Sequence, residues 1–484
     1  MLVKELRQGF RSKVFLFSFL GLQIAMIMLA IVGLNSTGGA LQAVTIFFWL
    51  IIGFPVLITM PFSGLNSISA EKKENTLEPI FLSRLSARRI VLGKWLAIIA
   101  QTTLIASAVL PYMVLRYFFG GINLVEELIA LGCLLIGSAV MTSITVALSP
   151  NTGRIGRALI PVGIVFFIQF FGMFSARAMF GGPTLFAGPH GGFGALTAML
   201  LATLLLALLF LFCMLEIGAQ KIAPSAENHS TPKRLAAFGA VIICCLYSLI
   251  WPGAAALWTM AAFIIIPIVI GAVCEPVREV MSVYRPFVRW GFPGRIFGRV
   301  FYPGWPSGVF FVLILLALIF LVPHGPFSSI LASFIGSLGP HPVTGSFVWA
   351  GTVIIGTIGA IFLPVALLRL LPARGRPPVT PFILFQTASV MLALLAHSLA
   401  DPSPSGFETV LAMIPSCGLV FAAMNSSSPE LAMPVSLGGA TVLTLFSFLI
   451  LFVKMIPGWK KIRALETAAQ SSPSQNVIAP SEPA

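Results

Sequence analysis

The chain has 484 residues, of which 58% are hydrophobic and only 9% are charged, and its formal net charge is +14. Its mean hydropathy of +1.00 lies far above the range of water-soluble domains, which need more polar residues to cover their surface. The composition therefore excludes a soluble globular protein and predicts an all-α, polytopic transmembrane helical bundle.

Apolar runs of about 20 residues recur along the chain, and a helix of that length crosses a hydrocarbon core of about 30 Å. In the first half these runs cover residues 14–34, 43–60, 95–115, 128–148, 158–174 and 196–215. After a polar stretch they cover residues 235–251, 254–274, 307–322, 347–368, 382–399 and 431–453. A shorter apolar piece at 407–424 contains Pro415 and Gly418, and its path decides between twelve and thirteen spans.

The basic residues favour twelve spans, because Lys and Arg accumulate in cytoplasmic loops. With both termini inside, 27 of the 29 basic residues lie on inner segments, and only Arg116 and Arg177 lie outside. Counting 407–424 as a span lowers that number to 23. We therefore expect a multi-pass protein of a bacterial inner membrane with cytoplasmic termini. The positive charge is spread over short segments beside the lipid bilayer, which argues against a nucleic-acid partner.

The spacing of the spans predicts two six-span halves. Residues 1–222 form the first half, 223–234 a cytoplasmic linker and 235–463 the second half, and residues 464–484 form a disordered tail. In each half a cytoplasmic segment of about 30 residues precedes the third span, at 63–94 and at 275–306. Because helical membrane proteins often repeat their architecture, we expect a pseudo-dimer within one chain, with a homodimer as the alternative.

Residues that carry chemistry are scarce. All fifteen acidic residues lie in loops or at span ends, Glu216 and Glu408 nearest to membrane depth, which disfavours an ion-coupled carrier. The six cysteines fit buried apolar filler, and the five histidines lack metal-ligand spacing, although His324 and His341 could meet on the outer side. We expect no catalytic residues, no metal and no cofactor.

A phosphate-binding loop of the Walker type is also missing, since Gly93 and Lys94 are followed by Trp95 rather than Ser or Thr. We therefore expect that the chain is not an enzyme and that any ATP is bound by a partner subunit.

The most distinctive segment is residues 71–94, before the third span. Its first part has charged residues at helical spacing, with Leu77, Ile80 and Phe81 toward one side, which predicts an amphipathic helix at the membrane surface or against a partner. Ser86 is a good N-cap and predicts a second helix that continues into the span. The alternative is an ordinary amphipathic loop whose basic residues flank the membrane.

This segment resembles the signature of ABC-2 type transporter permeases. The matching residues are Glu71, Glu74, Thr76, Leu77, Glu78, Ser86, Arg88, Arg89, Ile90, Val91, Leu92, Gly93 and Lys94. The resemblance also covers the basic amphipathic segment 4–11 and the six-span layout to about Glu216.

The resemblance implies the membrane-spanning permease subunit of an ATP-driven exporter, with one or more ABC ATPase subunits on its cytoplasmic face. The N-terminal helix and the helices of residues 71–94 would rest on that ATPase. The residues expected to couple the two proteins are Glu71, Glu74, Thr76, Leu77, Glu78, Ile80, Phe81, Arg88, Arg89, Gly93 and Lys94. Among these, the Glu and Arg residues would face the partner or another helix, and Leu77, Ile80 and Phe81 would supply the apolar contact.

A secondary carrier and a non-transporting membrane assembly protein remain as alternative functions.

Overall fold

The computed structural model describes residues 2–34, 40–69, 71, 86–119, 123–151, 193–224, 226–250, 255–321, 344–370, 379–399, 410–424 and 434–471. Within these residues every regular element is a helix and no strand occurs, so the predicted all-helical fold is confirmed for this part of the chain. Helices satisfy their own backbone hydrogen bonds, which a bilayer requires because it offers none.

The chain forms two compact units, Met1–His229 and Ser230–Ala484. The helices of the first unit are α1 (Leu2–Phe10), α2 (Lys13–Leu34), α3 (Ala40–Gly53), α4 (Met60–Ser67), α5 (Ala87–Ser107), α6 (Leu110–Phe119), α7 (Leu124–Leu148) and α8 (Phe193–Ile222). Those of the second unit are α9 (Ser230–Ile250), α10 (Ala255–Cys274), α11 (Arg285–Arg289), α12 (Gly291–Phe301), α13 (Trp305–Leu321), α14 (Thr344–Leu370), α15 (Val379–Leu399), α16 (Pro415–Met424) and α17 (Pro434–Ser471).

A single π turn, Phe54–Thr59, joins α3 to α4. Pro55 stands at its start, and proline has no N–H to donate and crowds the carbonyl one turn earlier, which favours a local change of helix type. The Ser138 hydroxyl of α7 donates to the Val56 carbonyl at 2.7 Å. The helix therefore continues through the irregular turn, and a neighbouring helix satisfies one of its backbone groups.

The ends of four helices, α4, α5, α7 and α8, meet on one side of the first unit. The Ile68 and Ser69 backbone N–H groups, just after α4, donate to the Ser149 hydroxyl after α7, at 3.0 and 3.1 Å. Ile68, Ala87 at the start of α5 and Leu215 of α8 belong to one buried apolar cluster. This common end carries the candidate site described below.

The second unit contains a sharp corner between α12 and α13, whose axes differ by 89°. Gly304 lies in this corner at φ 126°, a conformation that side-chain-bearing residues rarely adopt. The Trp305 N–H donates to the Glu275 carbonyl at 2.9 Å. Further along α13, Gly308 lets the helix approach the Ala272 carbonyl of α10, where a Cβ atom would clash.

Nine helices in the described part of the chain are long and apolar enough to cross a membrane, or ten if the bent pair α12–α13 is counted as one span. Each predicted span overlaps a described helix except residues 158–174, which lie outside the described residues. The chain is thus a helical protein with multi-pass membrane character, and the number of twelve spans stays a prediction.

Two details differ from the sequence-based expectations. Helix α17 runs to Ser471, so the predicted disordered tail at 464–484 begins at least eight residues too early. The reason is packing, because Ile462 belongs to a buried cluster that Trp459 and Leu465 also contact. In the piece 407–424, residues 407–409 lie outside the described part, and the ten-residue helix Pro415–Met424 is too short to cross a bilayer alone.

Candidate functional site

The candidate site lies at the beginning of α5. Ser86 has extended backbone angles and precedes Ala87, the first helical residue, as its predicted N-cap role requires, although its side chain makes no capping hydrogen bond. The first two turns bury Ala87, Ile90, Val91 and Gly93. The same two turns carry three basic residues, whose environments differ sharply.

Lys94 is the most buried of the three, with only 4% of its side chain exposed. Its ammonium nitrogen lies 2.8 Å from Glu71 Oε1 and 3.4 Å from Glu5 Oε1. Glu5 belongs to α1, and Gly9 of the same helix packs directly against the Gln101 side chain of α5. Lys94 thus holds the N-terminal helix and residue 71 against the third predicted span.

Arg88 binds a second carboxylate. Its Nε and Nη2 atoms donate to Glu216 Oε1 at 3.0 and 2.6 Å. The Glu216 side chain is only 3% exposed, whereas that of Arg88 is 49% exposed. A buried carboxylate needs hydrogen-bond donors to offset its lost hydration, and Arg88 supplies two of them. The first turn of α5 is therefore bound to the last turns of α8.

His229 extends this network into the segment that follows α8. Its Nδ1 atom lies 2.7 Å from Glu216 Oε1, and its Nε2 atom lies 3.0 Å from Glu227 Oε2. The two ring nitrogens of His229 therefore each contact a different carboxylate. The network Arg88–Glu216–His229–Glu227 joins the start of α5, the end of α8 and the end of the first unit.

Arg89, the third basic residue, is exposed, and no ion pair is recorded for it among the described residues. Gly93 is buried in α5. The remaining predicted coupling residues lie outside the described part of the chain: Glu74, Thr76, Leu77, Glu78, Ile80 and Phe81. Glu71, Arg88 and Lys94 therefore form ion pairs within the chain, while contact of any of these residues with a partner stays a prediction.

Sequence reasoning missed the partners Glu5, Glu216 and His229. Glu216 was expected just beyond a span ending at 215, but α8 continues to Ile222 and buries it. Arg88 and Glu216 are 128 positions apart, and no local spacing links residues so distant. The one available signal was Glu216 itself, an acidic residue beside an apolar run, since such a residue is costly to bury and needs a partner.

The second unit buries a basic residue in a different way. Arg234 of α9 is 1% exposed and donates to the carbonyl oxygens of Val300, Tyr302 and Gly304 at 2.8, 2.7 and 3.2 Å. Glu275 Oε2 lies 3.6 Å from its guanidinium, and the Ser230 hydroxyl also donates to Glu275. Arg234 thereby closes the corner between α12 and α13.

A further buried arginine lies in α6 of the first unit. Arg116 donates to Glu127 and Thr45 at 3.0 Å each, and its guanidinium lies 3.9 Å from the centre of the Phe48 ring. The twelve-span topology predicts Arg116 on the outer side, because Arg116 follows the third predicted span. Its ion pair and ring contact show how a buried arginine is accommodated there.

Among the residues that the structure describes, no group of three or more His, Cys, Asp or Glu side chains is arranged to hold a metal ion. All six cysteines are free; four are buried, Cys245 is half-buried and Cys133 is exposed. His324 and His341 lie outside the described residues.

The long apolar helices of the described residues place the chain in the class of multi-pass helical membrane proteins. No protein-family model, no curated protein and no solved structure matches this chain.

Proposed function

We propose that the chain is the membrane-spanning permease subunit of an ATP-driven exporter of the ABC-2 type in a bacterial inner membrane, working with a separate ABC ATPase on the cytoplasmic side. The observation that best supports this proposal is the Lys94 cluster. It joins the N-terminal helix, residue 71 and the start of α5, the three elements that the resemblance implies lie next to the ATPase.

The ion pairs provide a physical route for coupling. A movement imposed on α1 or on the segment containing Glu71 would act on α5 through Lys94, and α5 is 21 residues long without an internal proline. Arg88 would pass part of the same movement to α8 through Glu216. Rigid-body tilting of packed helices is a common form of switching transition, and it needs such direct links between its elements.

Arg88 and Arg89 have separate roles in this proposal. Arg88 binds Glu216 and holds the permease together, whereas the exposed Arg89 side chain is available to an acidic group of the ATPase. A charge reversal at Arg89 would place like charges across the interface, which costs several kcal/mol. Reversal at Arg88 would damage the permease itself, so Arg89 is the position that tests docking.

The test is copurification of the full chain with an ABC ATPase encoded beside its gene, together with ATP hydrolysis by the purified complex. We expect Arg89→Glu to lower the recovered ATPase by about tenfold or more while the thermal unfolding midpoint of the permease is unchanged. Lys460→Glu, a reversal at another exposed basic residue, is the matched control and should leave recovery unchanged.

Arg88→Gln should give the opposite pattern, with a lower unfolding midpoint, because Glu216 then loses two charged hydrogen bonds. Absence of any bound ATPase, together with transport driven by an ion gradient alone, would replace this proposal with a secondary carrier. Absence of both activities would favour an assembly protein.

A further inference from the structure

Helix α12 meets the apolar helix α13 at a sharp corner. Helix α13 contains 17 apolar-rich residues, about 25 Å of helix, which is close to the thickness of a hydrocarbon core. Because α12 meets it at 89°, an α13 that crosses the bilayer places α12 nearly parallel to the membrane surface. Helices in this position bind the interface when one side is apolar and the other is basic.

The corner holds α12 in this orientation. Arg234 donates to three carbonyl oxygens between Val300 and Gly304, and Gly304 has a backbone conformation that favours glycine. Tyr302 is fully buried there, with its ring centre 4.8 Å from that of Tyr284. A surface helix fixed in this way loses little conformational freedom when a ligand binds to it.

Contacts of Phe301 identify the side of α12 that faces the membrane. Its ring centre lies 5.8 Å from that of Phe238, which is about two turns inside the α9 span. Phe297, one turn earlier on the same side, is 56% exposed. Arg299 is two positions further along, so it projects from the opposite side of the helix. Phe297 and Phe301 therefore lie on the side of α12 toward the bilayer, and Arg299 lies on the opposite side.

The sequence segment that contains α12 has only positively charged residues. Residues 281–305 contain four arginines, at positions 285, 289, 295 and 299, and no Asp or Glu. Arg289 and Arg299 are exposed, as is the Trp290 ring between α11 and α12. The three nearby carboxylates lie outside this segment: Glu275 lies beside Arg234, Glu279 binds Lys461, and Glu466 lies close to the buried Tyr302. The exposed arginines thus stand beside aromatic rings without a neutralising acidic residue in their segment.

We propose that Arg289, Trp290, Phe297 and Arg299 form a binding surface for anionic phospholipids, here called the α12 lipid surface. The rings insert at the boundary between headgroups and acyl chains, and the positive charge of the two guanidinium groups is attracted to the negative headgroup charge, which acts over a Debye length of about 10 Å. A bilayer is the occupant favoured over a soluble protein because Phe297 projects from the side that faces the membrane-spanning helices.

Native mass spectrometry of the full chain, released from detergent with an equimolar mixture of phosphatidylglycerol and phosphatidylcholine of identical acyl chains, tests the headgroup preference. We expect the wild type to retain phosphatidylglycerol preferentially. Arg289→Gln with Arg299→Gln should reduce this preference by about tenfold to thirtyfold, since each basic residue near a charged surface contributes about 1 kcal/mol. The control Lys460→Gln with Arg463→Gln removes the same charge from exposed positions of α17 and should keep the preference.

Fluorescence quenching by phosphatidylglycerol brominated in its acyl chains tests the position of the rings. The difference between wild type and Trp290→Phe isolates the Trp290 signal from that of the other tryptophans, and we expect strong quenching of this signal in vesicles. An unchanged lipid preference in the double arginine variant would overturn the proposal, and so would quenching without any preference for the anionic lipid.

Protection of Trp290 by an added ATPase, with no effect of brominated lipid, would assign the surface to a protein partner and also overturn the proposal. The lipid measurements use no ATPase, so their outcome is independent of the exporter function proposed above.

Discussion

Lys94 in the first unit and Arg234 in the second are both buried near the start of an apolar helix. They bind different types of acceptor. Lys94 binds two carboxylates that belong to other segments, Glu5 and Glu71. Arg234 binds three backbone carbonyl oxygens of one short corner and only one carboxylate, that of Glu275.

This difference distinguishes a contact that can follow movement between helices from one that fixes their geometry. A side-chain carboxylate can rotate about its own bonds, so the Lys94 cluster can follow small movements of α1 and of residue 71 without breaking. Backbone carbonyls have no such freedom, and the Arg234 corner must keep its shape or lose several hydrogen bonds together. We therefore expect the first cluster to serve transmission of movement and the second to serve fixed geometry.

The largest loss of stability is expected for Arg234→Met. Methionine preserves much of the buried volume but leaves three carbonyls without their donor and removes the cation beside Glu275, which costs about 3–5 kcal/mol. The midpoint of thermal unfolding in detergent, followed by the loss of the monodisperse peak on size-exclusion chromatography, measures this loss. Arg463→Met, at an exposed arginine, is the control and should change the midpoint little. An unchanged unfolding midpoint in Arg234→Met would show that the arginine does not stabilise the corner.

A smaller and more local effect is expected for Lys94→Met. Removing the ammonium takes away the ion pairs of Lys94 with Glu5 and Glu71, at a cost of about 2 kcal/mol, and the pair with Glu5 is the one that ties α1 to α5. Hydrogen exchange of residues 2–10 should accelerate by more than tenfold, while that of α7 stays unchanged. Arg89→Met, in the same turn region but exposed, should leave α1 protected. Equal exchange in the two variants would contradict the proposed link.

The smallest expected effect is on the pH dependence of stability, to which the Tyr284 hydroxyl near the corner contributes. Burial, together with the carboxylates of Glu275 and Glu466, raises the pKa of Tyr284 from 10.0 to about 12. Because the folded pKa is the higher one, the neutral phenol contributes its full stability below pH 10.0 and loses it as the pH rises toward 12.

Tyr284→Phe keeps the ring but removes the hydrogen bond to the Arg278 carbonyl, so it should destabilise by about 1 kcal/mol at pH 8 and by progressively less above pH 10. Unfolding midpoints of both proteins between pH 8 and 11 measure the narrowing gap, and Tyr117→Phe, at an exposed tyrosine, is the control. A constant gap over this range would indicate that the phenol does not titrate during unfolding.

Much of the helical framework could be predicted from the sequence, because a bilayer demands long apolar helices and such runs are visible directly. The start of α5 after Ser86 was also predictable, since an N-cap signal is local. The end of α17 was misjudged although Ile462, Leu465 and Ala469 recur at helical spacing, a pattern hidden by the polar residues among them.

The partners of the buried charges could not be predicted, for two different reasons. The Arg88–Glu216 pair depends on how α5 packs against α8, and many acidic residues were equally plausible before that packing was known. The Arg234 site cannot be inferred from side-chain patterns, because its acceptors are backbone carbonyl oxygens and every residue has one.

The π turn Phe54–Thr59 has a consequence for how this protein tolerates changes in length. A π turn holds one residue more than an α-helix would need to keep its two flanks facing the same neighbours. Deleting Pro55 would remove the extra residue together with its cause and leave α3 and α4 in register with α7, whereas a deletion inside α7 would rotate half of that helix by about 100°. The second predicted span thus contains a position at which the chain can shorten by one residue without repacking the bundle.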